Sequence, residues 1–125
     1  DGTYSSANDY SIVLRVRYGE TAVLFAGDAE TAAERILLKA LPHRYLLADV
    51  LKVGHHGAST STCDAFLAAI DPEIAVISCG VDNRYGHPSQ GTLDRLRSAG
   101  VTVYRTDEDG QIHIALDGTA VRVVE

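Results

Sequence analysis

Short apolar runs alternate with amphipathic segments along the whole chain, and this alternation constrains the fold more than any other feature. Across residues 10–18, Ile12, Leu14 and Val16 alternate with Val13, Arg15 and Arg17, the period of two of a strand with one cleaner face. Gly19-Glu20 turns the chain into a second apolar run, residues 21–26, that ends at Gly27-Asp28; the two runs read as a hairpin. Residues 30–40 place Ala33, Ile36, Leu37 and Ala40 at helical spacing, with Glu34, Arg35 and Lys39 outside and Pro42 as a stop.

The pattern then repeats. Residues 49–53 form a short apolar strand that runs into Gly54-His55-His56-Gly57. Ser61 or Thr62 is placed to cap a helix holding Phe66, Leu67 and Ile70, which Asp71-Pro72 ends before the strand 74–78. A loop spans residues 79–88, a helix residues 89–99 closed by Gly100, and a strand residues 101–105. Residues 110–116 and 120–124 around Asp117-Gly118 read as a closing hairpin. The order predicts an α/β fold: a mixed sheet with helices packed on it and a C-terminal hairpin. At 125 residues this fits one domain, a size that buries about two-thirds of its unfolded surface.

Composition narrows the function classes. Hydrophobic residues make up 46% and charged residues 22%, far from the balance that leaves a chain disordered. The formal charge of −6 argues against non-specific affinity for a polyanion, because that rests on clustered Lys and Arg. No run approaches the roughly 20 apolar residues that span a bilayer, and the first residues lack the basic and apolar parts of a signal peptide. The chain starts without Met in what reads as a loop leading into a strand, which suggests a piece of something longer. Cys63 and Cys79 are too few for a disulfide scaffold and lack the paired spacing of a structural zinc site, so both are expected as free core thiols.

Four polar residues fall at predicted strand ends: Asp28, His55, His56 and His87. Open α/β sheets carry their chemistry in the crevice past the strand ends. Asp28 with His55 or His56 offers carboxylate oxygen and imidazole nitrogen, the donors that hard and borderline divalent metals take. Two ligands fall short of the three that a hydrolytic ion needs. An Asp after a strand also serves as a helix cap or turn residue, whereas packing has little use for two imidazoles between glycines. His87, before Pro88, is placed either to cap or to meet a phosphoryl oxygen and position a base. His43 at a helix end and His113 within a strand read as structural. Ser59 and Ser61 lack the strand–turn–helix elbow of a catalytic hydroxyl, and no glycine-rich phosphate loop is present.

Asn8-x-x-Ser11-Ile-Val-Leu, Leu24-Phe-Ala-Gly27-Asp28-Ala29, Asp49-Val-Leu-Lys-Val-Gly54-His55-His56-Gly57 and Asn83-x-Tyr85-Gly86-His87-Pro88 occur in one order. Together they resemble the second half of a ComEC-type metallo-β-lactamase domain, from about Asn8 to Gly110. The resemblance implies an αββα sandwich of two αβ halves with a dinuclear site at the seam, of which residues 1–125 supply the C-terminal half. It maps Asp28 to the metal-bridging carboxylate and His55 to a ligand of the second metal. His56 becomes an alternate ligand or a donor behind the ligands, and His87 an active-site residue, so that Asp28, His56 and His87 are the catalytic candidates and Asp28 and His55 the metal candidates. The implied cofactor is a pair of divalent ions, zinc or manganese. The His-x-His-x-Asp-His-like cluster of the first half is absent, so the isolated chain is expected to be inactive.

The activity so implied is phosphodiester hydrolysis of DNA during competence-related uptake, with a non-catalytic structural or interaction domain, or a hydrolase of esters or lactones, as alternatives. The implied partners are single-stranded DNA, the N-terminal half of the same domain and a membrane channel domain. The parent would be a bacterial membrane protein with this domain outside the cytoplasm. A half-domain that has lost its partner layer is also expected to expose an apolar sheet face and self-associate.

Overall fold

A computed structural model describes residues 7–124; residues 1–6, read above as a loop, and residue 125 lie outside the described residues. The strands are β1 (Leu14–Tyr18), β2 (Thr21–Phe25), β3 (Val50–Lys52), β4 (Ile74–Ile77), β5 (Thr102–Arg105), β6 (His113–Leu116) and β7 (Val121–Val124). The helices are α1 (Thr31–Ala40), α2 (Asp64–Ile70), α3 (Gln90–Ser98) and the single turn α4 (Thr106–Asp109). A five-stranded sheet runs β1-β2-β3-β4-β5, and β6 pairs with β7 in a second, two-stranded sheet. In the five-stranded sheet β1 is antiparallel to β2 and the other neighbours are parallel, while β6 and β7 are antiparallel. The expected mixed sheet with helices and a closing hairpin is the observed architecture.

Strand alternation divides the sheet into two unlike faces. Ala22, Leu24, Leu51, Ala75 and Ile77 belong to one core cluster with Phe66, Leu67 and Ile70 of α2 and Leu93 and Leu96 of α3. Phe66, Leu24, Leu51, Ile70, Ile77 and Leu96 are among the largest fully buried side chains, and burial of each contributes roughly 1.5–3 kcal/mol. The register Leu14↔Phe25 and Val16↔Val23 sends the apolar side of β1 to the opposite face, where Leu14, Val16 and Phe25 are exposed. The cleaner face of β1 is therefore its uncovered one. Gly19 joins the two sheets: its φ is +60°, a Cβ there would lie 2.7 Å from the Gly118 backbone, and the Glu20 N–H donates to the Gly118 carbonyl at 2.7 Å.

Several local expectations are corrected. The first strand starts at Leu14, because residues Ala7–Tyr10 form a 3-10 turn. Neither Ser61 nor Thr62 caps α2, whose N-cap is Cys63 without a side-chain bond. The buried Glu34 carboxylate of α1 does so from across the fold, accepting the N–H groups of Thr62 and Cys63. Ser61 Oγ donates instead to the Gly54 carbonyl at 2.7 Å. Ser89, read as the first residue of the third helix, is instead the N-cap of α3, accepting the Thr92 N–H at 3.1 Å. α4 was not expected; Thr106 ties it to the end of β4, since its hydroxyl both accepts from the Cys79 N–H and donates to the Cys79 carbonyl at 2.9 Å. Both cysteines are free and partly buried at the edge of the core.

Candidate functional site

Parallel register brings the ends of β2, β3 and β4 to one edge, since Phe25 pairs with Lys52 and Lys52 with Val76. The loops that follow these strands carry Asp28, the His55-His56 pair and His87. Asp28 does not cap α1, whose N-cap is Glu30; its own N–H donates to Ser11 Oγ at 3.2 Å. His43 lies exposed in the 3-10 turn His43–Tyr45, and His113 is exposed on β6. Neither is at this edge of the sheet.

The two adjacent histidines face different ways, and backbone conformation is the reason. Residues Gly54–Gly57 form a distorted turn in which His55 (φ 50°, ψ 43°) and His56 (φ 55°, ψ 27°) are both left-handed, a conformation that costs an L-residue about 1–2 kcal/mol. Glycine flanks are required: a Cβ on Gly54 would lie 3.0 Å from the Ala29 carbonyl oxygen, and one on Gly57, at φ +79°, 2.6 Å from Pro88 Cβ. His56 Nδ1 lies 2.7 Å from the Ser78 carbonyl oxygen. A neutral His56 ring therefore carries its proton on Nδ1, leaving the Nε2 lone pair open. That Nε2 stands 3.6 Å from Asp28 Oδ1.

His55 is partly buried. Its Nε2 is 3.4 Å from Asn8 Nδ2, whose amide also donates to Glu30 Oε1 at 3.3 Å. Its Nδ1 is buried without a hydrogen bond, 3.8 Å from Glu30 Oε1. His87 joins both rings, at 5.4 Å and 69° from His55 and at 6.3 Å and 16° from His56. Burial lowers the His87 pKa from its ordinary 6.5, the His55 and His56 rings add to the fall, and Asp28 opposes it; His87 is thus neutral at neutral pH. Burial likewise lowers the Lys52 ammonium at the end of β3, against the pull of Asp28 and Cys79.

The donor types suit a divalent cation. A carboxylate oxygen and an imidazole Nε2 face one another, and the Nδ1–H···O=C bond to Ser78 is the contact that orients a ligating imidazole. Among the described residues, no group of three or more His, Cys, Asp or Glu side chains converges on one point. The residues fit the flank of a metal site and fall short of a closed one.

Five participants were not legible as site residues. Asn8, Ser11 and Asn83 sit inside the quoted motifs, which is the signal that marks them. Asn83 accepts the N–H groups of Tyr85 (3.2 Å) and His87 (3.1 Å) and donates to the carbonyls of Gly80 (3.0 Å) and His87 (2.6 Å). Glu30 read only as the start of a helix. The Ser78 carbonyl is a backbone group and leaves no trace in the side-chain pattern.

Known proteins bear the four-motif resemblance out. ComE operon protein 3 of Bacillus subtilis (strain 168) is 40% identical over 108 residues, covering 86% of this chain and 14% of the relative. Competence protein ComA of Neisseria gonorrhoeae is 39% identical over 115 residues, 92% of this chain and 16% of the relative. Recombination protein 2 of Haemophilus influenzae is 36% identical over 107 residues, 86% of this chain and 13% of the relative. The chain thus spans only a small part of the length of these relatives. Residues 3–81 match the metallo-beta-lactamase superfamily, and with the order of strands, the Gly27-Asp28 turn and the paired histidines in place, this chain belongs to that superfamily.

Proposed function

We propose that this chain carries one flank of a divalent-metal hydrolase site that cleaves phosphodiester bonds of DNA, and that it works within a protein of DNA uptake. Two of its relatives bear competence names, ComE operon protein 3 and competence protein ComA, which supports the setting. The observation that carries the chemistry is the pairing of Asp28 with a His56 whose Nδ1 is held by Ser78. The superfamily supports a divalent cofactor, and zinc or manganese suits these donors. When bound, such ions supply an acidified water and offset the charge of the transition state.

The chain's own residues divide the work. Asp28 supplies the carboxylate, and the geometry ranks His56 ahead of His55 as the imidazole beside it. His55, held by Asn8 and Glu30, fixes the turn from behind and becomes a ligand only by releasing those contacts. The neutral His87 is suited to take up a proton or meet a phosphoryl oxygen at the rim. In this reading residues 1–125 form the C-terminal half of the domain, and an N-terminal half covers the exposed face of β1 and completes the ligand set. Without that half, the same face is the surface through which copies of the chain self-associate. A membrane channel domain and single-stranded DNA are the further partners, and the domain lies outside the cytoplasm.

Zinc and manganese titrations of the full-length protein test this. His56→Ala is expected to weaken metal binding by at least about 100-fold, and His55→Ala by about 10-fold, the scale of residues that support ligands. The reverse order assigns the ligand to His55. Absence of metal binding by the full-length wild type favours a structural or interaction domain.

A further inference from the structure

Beside His56 the loop after β4 borders an open cavity of about 280 Å³, lined by His56, Cys79, Gly80, Asn83, Tyr85 and His87. Three rings on its wall are nearly parallel: Tyr85 lies 5.8 Å and 26° from His87, and His87 6.3 Å and 16° from His56. Tyr85 is 76% exposed, and Val81 on the same loop is exposed as well, so neither serves the core. The loop is nevertheless held in shape, because the Asn83 side chain makes four backbone hydrogen bonds within it. An exposed aromatic face on a pre-shaped loop binds a flat ligand at little cost in ordering.

Charge decides what that ligand shows to the cavity. The chain carries −6 overall, and within the loop Asp82 and Arg84 cancel, so phosphate attraction does not come from here. Stacking on aromatic faces is the sequence-tolerant alternative, and it needs bases that are not already stacked in a duplex. We propose that this cavity is a nucleobase subsite, which takes the base of a single-stranded nucleotide next to the phosphodiester held at Asp28 and His56. The proposal rests on the phosphodiesterase reading above and adds to it the single-strand selectivity of the site.

The test uses the full-length protein with a short DNA strand containing one 2-aminopurine, a strand of abasic deoxyribose phosphates of equal length, and the corresponding duplex. Binding of the single strand is expected to quench the 2-aminopurine; the duplex is expected to give no quench. Tyr85→Ala should weaken single-strand binding by roughly tenfold, the scale of one base–aromatic stack, with Tyr85→Phe restoring it. Equal affinity for base-bearing and abasic strands, or an unchanged affinity of Tyr85→Ala, overturns the subsite. Equal cleavage of both strands also overturns it while leaving the phosphodiesterase reading intact. Base-dependent binding without cleavage of either strand upholds the subsite and removes the phosphodiesterase reading instead.

Discussion

Two polar clusters flank the same loop, residues 54–63, and they are finished to different degrees. On one side Glu34 is buried and accepts two backbone N–H groups, while Arg95 donates to the carbonyls of Ser61 and Thr62 and to Thr92 Oγ. Thr92 in turn donates to the Ala58 carbonyl at 3.0 Å. On the other side Asp28 and His56 are nearly half exposed, their facing atoms stand 3.6 Å apart, and His55 Nδ1 is buried without a hydrogen bond. A buried polar group left unpaired costs about 1–3 kcal/mol, so saturation marks the cluster that holds the fold. The exposed Asp28 carboxylate and His56 imidazole are left open, as the proposed metal-binding role requires.

The sharpest way to break this contrast is Asp28→Asn, which keeps shape and removes charge. In the full-length protein, metal-dependent cleavage of a DNA strand should fall by about three orders of magnitude, equivalent to ~4 kcal/mol of barrier, with the melting temperature unchanged. Near wild-type turnover would place Asp28 with the structural residues and erase the distinction. Glu34→Ala should do the opposite. It orphans the Thr62 and Cys63 N–H groups, so stability should drop by about 3 kcal/mol, read as a lower denaturant midpoint, while metal affinity measured on the folded protein stays unchanged.

The smallest effect sharpens the account of Glu34 itself. Burial raises its pKa above the ordinary 4.5, against the lowering pull of the Cys63 and Thr62 N–H groups and of Arg95. A raised folded-state pKa means that protonation favours the fold; this contribution is complete below 4.5 and is lost as pH rises through the elevated value. Glu34→Gln does not titrate. Its stability deficit relative to wild type should therefore narrow as pH is raised from about 4 towards 7, followed by thermal melting at each pH. A deficit that widens over this range would mean that the N–H bonds, rather than burial, dominate the site.

Much of this molecule is written locally. Alternation in residues 14–25, the apolar faces of α1, α2 and α3, the Ser89 cap and the glycines flanking the histidines are all set by neighbours a few residues apart, so the order of strands and helices and the place of the site at the strand ends could be read from the chain. Only the tertiary structure decided which histidine faces Asp28, that Glu34 caps α2, that α4 follows β5, and that the expected uncovered apolar face is made by Leu14, Val16 and Phe25. Those outcomes depend on contacts such as Asn8 with His55, Ser78 with His56 and Glu34 with Thr62, which join residues 22 to 47 positions apart. Periodicity encodes which face of an element is apolar. The direction of a side chain at a strand end is set by whatever the rest of the fold brings against it.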